Sequence, residues 1–162
     1  MIGTKMQEAI NEQIKLEMES SYLYLSMATF FYARNLDGMA QWMRAQTNEE
    51  MQHAMKLFNH LVERGGKVQL SGLANPKKEW NSPLEAFEEA YQHELFITGK
   101  INSLVKLARE EDDNPAAIML QWFVNEQVEE EASVSKIVET MKMIGTSGSG
   151  LVMLDHKLGK RQ

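Results

Sequence analysis

The chain has 162 residues, with 17 Lys+Arg against 23 Asp+Glu, a net charge of −6, four His and no Cys. The length fits one domain over residues 1–162. The acidic balance argues against nucleic acid as a partner, and the missing Cys excludes disulfides, iron–sulfur clusters and thiolate zinc sites. No apolar run approaches the roughly 20 residues of a membrane span and the N-terminus is too polar for a secretory signal, so no membrane association and a cytoplasmic location are expected.

Thr4-Lys5-Met6-Gln7 fits a capping box, and an unbroken helical pattern then runs to about Asn35. Asp37 is placed to cap a second helix ending at Gly65-Gly66. Ser82-Pro83-Leu84-Glu85 combines an N-cap Ser, Pro at the first helical position and Glu at the third, opening a third helix to about Glu111. Asn114-Pro115 opens a fourth, closed by Gly145. The bundle is thus expected over about 5–144, a Gly/Ser/Thr hinge over 145–150, and a short fifth helix over about 151–159 with Leu151, Leu154 and Leu158 on one face.

Connection lengths bear on topology. The short turns near Leu36-Asp37 and Asp112–Asn114 make the first two helices antiparallel, and likewise the last two long ones. The segment from Gly65 to Asn81 has no helical period. Extended, it reaches ~55 Å, enough to run the length of a helix of about 27 residues (~40 Å) and set helices two and three parallel. The sequence therefore predicts an all-α four-helix bundle with one long crossover from helix two to helix three. A loose loop between antiparallel neighbours is the competing reading.

The seam positions follow 3–4 spacing. Helix one gives Ile10, Ile14, Glu17, Ser21, Tyr24, Ala28 and Phe31, and helix two Met43, Gln46, Glu50, His53, Leu57 and Leu61. Helix three gives Leu84, Phe87, Tyr91, Glu94, Thr98, Ile101, Val105 and Ala108. Helix four gives Ala116, Leu120, Phe123, Gln127, Glu130, Val134, Ile137 and Met141. Each seam is apolar at its ends and polar at its middle. At 1.5 Å per residue, Glu17, Glu50, His53, Glu94 and Glu130 fall within ~10 Å of one level, and Glu50 and His53 share a helix face. Bare carboxylates cannot gather in a dry core, because desolvation costs several kcal/mol per ion and their repulsion adds to it. They either hold protons or bind cations. Two divalent ions would balance four carboxylates, and oxygen plus imidazole without sulfur suits Fe(II), Mn(II) or Zn(II).

Glu17 with Tyr24, Glu49-Glu50-x-x-His53, Glu94 and Glu126-Gln127-x-Glu129-Glu130, in this order, resemble the bacterial non-haem ferritins over essentially the full length. Where relatives carry a second E-x-x-H, this chain has Gln127 and Glu130, which looks like the ferritin rather than the bacterioferritin branch. The resemblance implies a two-iron centre. Glu17, Glu50 and His53 would hold one iron and Glu50, Glu94 and Glu130 the other, with Glu50 bridging and Gln127 and Tyr24 beside them. It also implies a third iron position at Glu49, Glu126 and Glu129, sharing Glu130. Gln52 stands where haem-binding relatives need Met, so no haem is expected. The implied function is iron storage with ferroxidase activity: Fe(II) oxidation by O2 or H2O2, and ferric mineral kept in a homo-oligomeric shell of 24 subunits. Tyr24 is expected to give a hydrogen bond, give an electron, or simply pack by its ring, and Trp122 to pack beside the seam. His60, His93 and His156 are expected at the surface. A di-metal oxidase acting on an organic substrate, and a non-catalytic bundle, are the competing readings.

Overall fold

The computed structural model describes residues Met1–Gln162. It contains five helices and no strand: α1 (Thr4–Tyr32), α2 (Asp37–Glu63), α3 (Pro83–Glu110), α4 (Asn114–Ile144) and α5 (Gly148–Leu158).

The crossover decides the topology. Helix α2 ends where Gly65 takes φ +70°, a left-handed turn that costs Gly nothing. Gly66 N–H then donates to the Leu61 carbonyl at 2.8 Å and Gly65 N–H to Val62 at 3.1 Å, a Schellman closure. From there the chain climbs α1. Lys67 N–H donates to Gln7 Oε1 at 2.8 Å, Gln69 N–H to Asn11 Oδ1 at 2.8 Å, Ala74 N–H to Glu19 Oε1 at 3.1 Å, and the Lys77 carbonyl accepts from Ser26 Oγ at 2.6 Å. Trp80 closes the climb with its ring 5.3 Å from that of Phe30. These anchors advance together along both segments, so the loop spans the bundle and α3 starts at the end where α2 began. Helices α2 and α3 are parallel, and the loose-loop reading is set aside.

Asp113 ties the opposite end together. Its Oδ1 accepts from Ala116 N–H at 3.0 Å, capping α4, while Arg64 at the end of α2 donates to both carboxylate oxygens at 2.9 and 3.3 Å. Burial works against its charge, but the Arg64 hydrogen bonds and the cap hold its carboxyl below the usual carboxylate range. Asp113→Ala should therefore lower stability by about 2–3 kcal/mol, the sum of a lost cap and a charge-assisted pair. Asp113→Asn, which keeps the cap, should lose about half of that. Urea midpoints of the two variants check it, and equal losses would refute the partition.

Several helix ends depart from expectation. The N-cap of α1 is Gly3, with no side-chain cap. The capping box fails because the Gln7 carbonyl is spent on the crossover. Helix α1 stops at Tyr32 rather than Asn35, which turns the chain at φ +56°. Asp37 is the first helical residue and Leu36 the N-cap. The free N–H at Met39 is instead met by Asp155 Oδ1 from α5 at 2.8 Å. A Cβ on Gly38 would sit 1.7 Å from the Asp155 carbonyl, so only Gly allows this approach. The hinge is shorter than expected, because Ser147 caps α5 through Gly150 N–H at 3.1 Å and the helix begins at Gly148.

The seams of α1, α2 and α4 are buried at every expected position. On α3 the buried positions are Ala86, Phe87, Ala90, Glu94, Ile97, Ile101, Leu104 and Ala108, while Leu84, Tyr91, Thr98 and Val105 lie at the rim. The buried stripe keeps 3–4 spacing from Phe87 to Ala108 but takes Ala90, Ile97 and Leu104 in place of Tyr91, Thr98 and Val105, so it is turned about the helix axis towards α1. The core falls into two apolar clusters. One is around Phe31, Phe87 and Met141, and the other around Ile10, Leu61 and Phe123. The polar belt lies between them. No helix is long and apolar enough to cross a membrane.

Candidate metal centre

Each long helix brings one carboxylate to the belt. Glu17, Glu50, Glu94 and Glu130 are at most 5% exposed, and His53 is 3% exposed. Ligand atoms of Glu17, Glu50 and His53 all lie within 4.8 Å of one another, and so do those of Glu50, Glu94 and Glu130. Glu50 is common to both sets. Its Oε2 lies 3.3 Å from His53 Nδ1, which is also 4.0 Å from Glu17 Oε2. The two sets adjoin because Glu50 and His53 stand one turn apart on α2 while Glu94 and Glu130 come from the other helix pair.

Neutral donors surround the carboxylates. Gln13 Nε2 donates to Glu17 Oε1 at 2.8 Å. Gln127 Nε2 donates to Glu94 Oε2 at 3.2 Å and also reaches Thr98 Oγ1 at 3.2 Å, whose hydroxyl donates to Glu131. Tyr24 is fully buried and donates its hydroxyl to Glu94. Gln46 Nε2 donates to Glu50 Oε1 at 3.1 Å and to Glu130 Oε2 at 2.7 Å. Sequence reasoning assigned no role to Gln13 or Gln46. The signal was there, since each stands four residues before a belt carboxylate and therefore on its face.

Burial, then the Glu50 carboxylate, push Glu17 well above its ordinary value. Burial, then Glu94 and Glu130, do the same to Glu50. Burial, then Glu94, push Glu130 up to about 8. Glu94 is raised by burial against the Tyr24 and Gln127 hydrogen bonds. Burial and Glu94 raise the Tyr24 phenol, so its proton stays on to donate. Left alone, the centre keeps protons. Glu17 Oε2 is nevertheless buried with no hydrogen-bond partner, and it faces the first ligand set. Four oxyanions and one imidazole, short of positive charge and with an oxygen unsatisfied, fit two divalent cations of the Fe(II) type.

The outer residues separate. Glu126 Oε1 lies 3.7 Å from His53 Nε2, and ligand atoms of Glu126, His53 and Glu130 lie within 4.8 Å of one another. Glu49 is turned to Arg161, whose Nη2 donates to it and whose guanidinium lies 4.5 Å over the Trp42 ring. Glu129 is exposed and joins none of these groups. Trp122 packs edge-on to the His53 ring, with centroids 5.4 Å apart. His156 is exposed, and His60 is half-buried beside Arg64. His93 corrects the surface expectation: it is half-buried, 2.6 Å from Ser20 Oγ and edge-on to Tyr24. Burial pushes it down to about 4, so it is neutral at pH 7. Its helix face points at α1, beside the buried stripe through Ala90 and Ile97.

Residues 7–144 match the family model described as a ferritin-like domain. A bacterial non-heme ferritin of Bacteroides fragilis is 40% identical over 161 residues, covering 99% of this chain and all of the relative. One of Campylobacter jejuni is 40% identical over 156 residues, covering 96% and 93%. Among solved structures, an open-pore ferritin of Archaeoglobus fulgidus superposes with a TM-score of 0.99 at 49% identity, covering 100% of both chains.

Proposed function

Since this chain belongs to the ferritin-like family, we propose that it stores iron and is a ferroxidase, working as a single domain in a cytoplasmic shell of 24 copies. Fe(II) is the substrate. Glu17, Glu50 and His53 take one ion, Glu50, Glu94 and Glu130 the other, and Glu50 spans both. Glu126, beside His53 and Glu130, is the outer residue best placed to serve a third ion. Glu49 and Glu129 would have to turn inward to join it. The observation that carries the reading is the pair of overlapping buried ligand sets with Glu50 in common.

The chemistry follows from that arrangement. Each arriving Fe(II) displaces protons that burial had kept on the carboxylates, so binding becomes charge-neutral. Two Fe(II) held side by side give one electron each. Together they reduce one O2, which takes two protons and leaves as H2O2, or they reduce one H2O2, which takes two protons and leaves as two waters. Gln127 and Tyr24 hold Glu94 in place through this, and His53 supplies a neutral nitrogen that keeps the first set one charge less negative than three carboxylates would be. An all-oxygen second set binds more weakly, which suits a product that must leave for a mineral.

The test is to load the protein with Fe(II) without air, admit air, and follow ferric absorbance, oxygen uptake and particle mass. A soluble iron-filled particle of 24 chains is the expected result. A small oligomer that turns over an organic substrate, or a protein that binds neither Fe(II) nor Zn(II), would overturn it.

A further inference from the structure

Gln46 is fully buried on α2, one turn before Glu50. Its Nε2 spans two helices, with Glu50 Oε1 at 3.1 Å on its own helix and Glu130 Oε2 at 2.7 Å on α4. Its Oε1 is buried without a partner. Once both carboxylates are ionised, as a bound cation requires, the amide cannot turn over, because its oxygen would then face two carboxylate oxygens. Glu50 meanwhile divides its two oxygens: Oε2 faces His53 at 3.3 Å while Oε1 faces Gln46. The first ligand set is therefore ordered by Gln13 and His53, and the α2–α4 side of the second set by Gln46.

We propose that Gln46 is a positioning residue for the second cation, its amide holding Glu50 and Glu130 side by side against their repulsion. An amide N–H uses one lone pair of each carboxylate oxygen and leaves the other for a metal. Without the amide nothing neutral lies between the two oxyanions, and Glu130 is free to swing from the Glu50–Glu94–Glu130 set. The first position does not rely on this bridge. The inference rests on the ferroxidase reading only in that both sets bind cations.

Zn(II), which is redox-inert, separates the possibilities by calorimetry on the assembled protein. Wild type should bind two Zn(II) per chain at the centre. Gln46→Met, close in length and without a donor, should bind the first with unchanged affinity and the second roughly 10–100-fold more weakly. Gln46→Asn keeps the amide but is one methylene too short to reach both carboxylates, and should fall between; it also serves if the Met variant does not fold. Co(II) spectra, in which the imidazole-bound ion is distinct from the all-oxygen one, should show the first band kept and the second lost. Unchanged second-site affinity in the variants, or equal weakening of both positions, would overturn the proposal and leave the ferroxidase reading standing. Wild type binding no Zn(II) would overturn both.

Discussion

Glu50→Ala slows Fe(II) oxidation by about a hundredfold or more, and His53→Ala slows it less. The order follows from membership. Glu50 is the one residue in both ligand sets, while His53 belongs with Glu17 and Glu50 in the first and is not a member of the second. Losing Glu50 removes a ligand from each ion and separates the pair that must act together. Losing His53 leaves the second set whole. Stopped-flow oxidation at two Fe(II) per chain measures both, and wild-type rates in either variant would sink the site assignment. A stability measurement on Glu50→Gln adds a second, independent reading. Burial and the Glu94 and Glu130 carboxylates push Glu50 upward, so replacing it with a neutral isostere removes a repelling group without opening a cavity. Metal-free Glu50→Gln should melt higher than metal-free wild type while oxidising almost nothing. Such a trade is the mark of a group kept for chemistry at the expense of the fold. A variant that melts lower would mean that Glu50 is chiefly a structural hydrogen-bond acceptor.

What the sequence revealed of this centre depends on how far apart the informative residues lie. Glu50 and His53 sit on one face by helix geometry alone, and the four polar interruptions reach one level by counting residues. The crossover was legible as well, because a loop of that reach has few other uses. Interactions whose partners meet only after folding were not legible. Asp155 caps α2 from 116 residues away, and Arg161 claims Glu49 across 112. Gln7 looks like half of a capping box until Lys67 takes its carbonyl. The α3 rim differs for another reason: two 3–4 seams share Phe87, Glu94, Ile101 and Ala108, and only the packing against α1 and α4 selects the one through Ala90, Ile97 and Leu104. His93 was misplaced by the same choice of phase. Gln46 sits between these cases, because its neighbour Glu50 is local and its second partner Glu130 lies 84 residues on.

Metal-free protein should lose stability as pH rises from about 5 to 8, and cation-loaded protein should gain it. Unfolded carboxylates give up their protons near 4.3, whereas folded Glu130 holds its proton to about 8. Glu17, Glu50 and Glu94 are raised in the same direction. Through that window the folded chain binds more protons than the unfolded one, so stability falls with pH and is fully present only below the ordinary carboxylate value. Glu130 alone, moved from 4.5 to about 8, accounts for as much as ~5 kcal/mol, less whatever water entering the belt returns. That is a large share of a domain's ~5–15 kcal/mol. Divalent ions reverse the slope, because they take the place of those protons and bind more tightly as fewer protons compete. At a thousand times Kd they add about 4 kcal/mol. His93 bends the acid side. Held down to about 4, its folded form binds fewer protons than the unfolded chain below about 6.5, so its contribution is lost as pH falls. One lowered imidazole against four raised carboxylates makes the metal-free slope shallower below about pH 6.5 without reversing it between pH 5 and 8. Melting curves of chelator-treated and Zn(II)-loaded protein from pH 5 to 8.5 decide the matter. A metal-free protein that grows steadily more stable up to pH 8 would mean that the belt carboxylates are already ionised, and that no proton need leave for iron to enter.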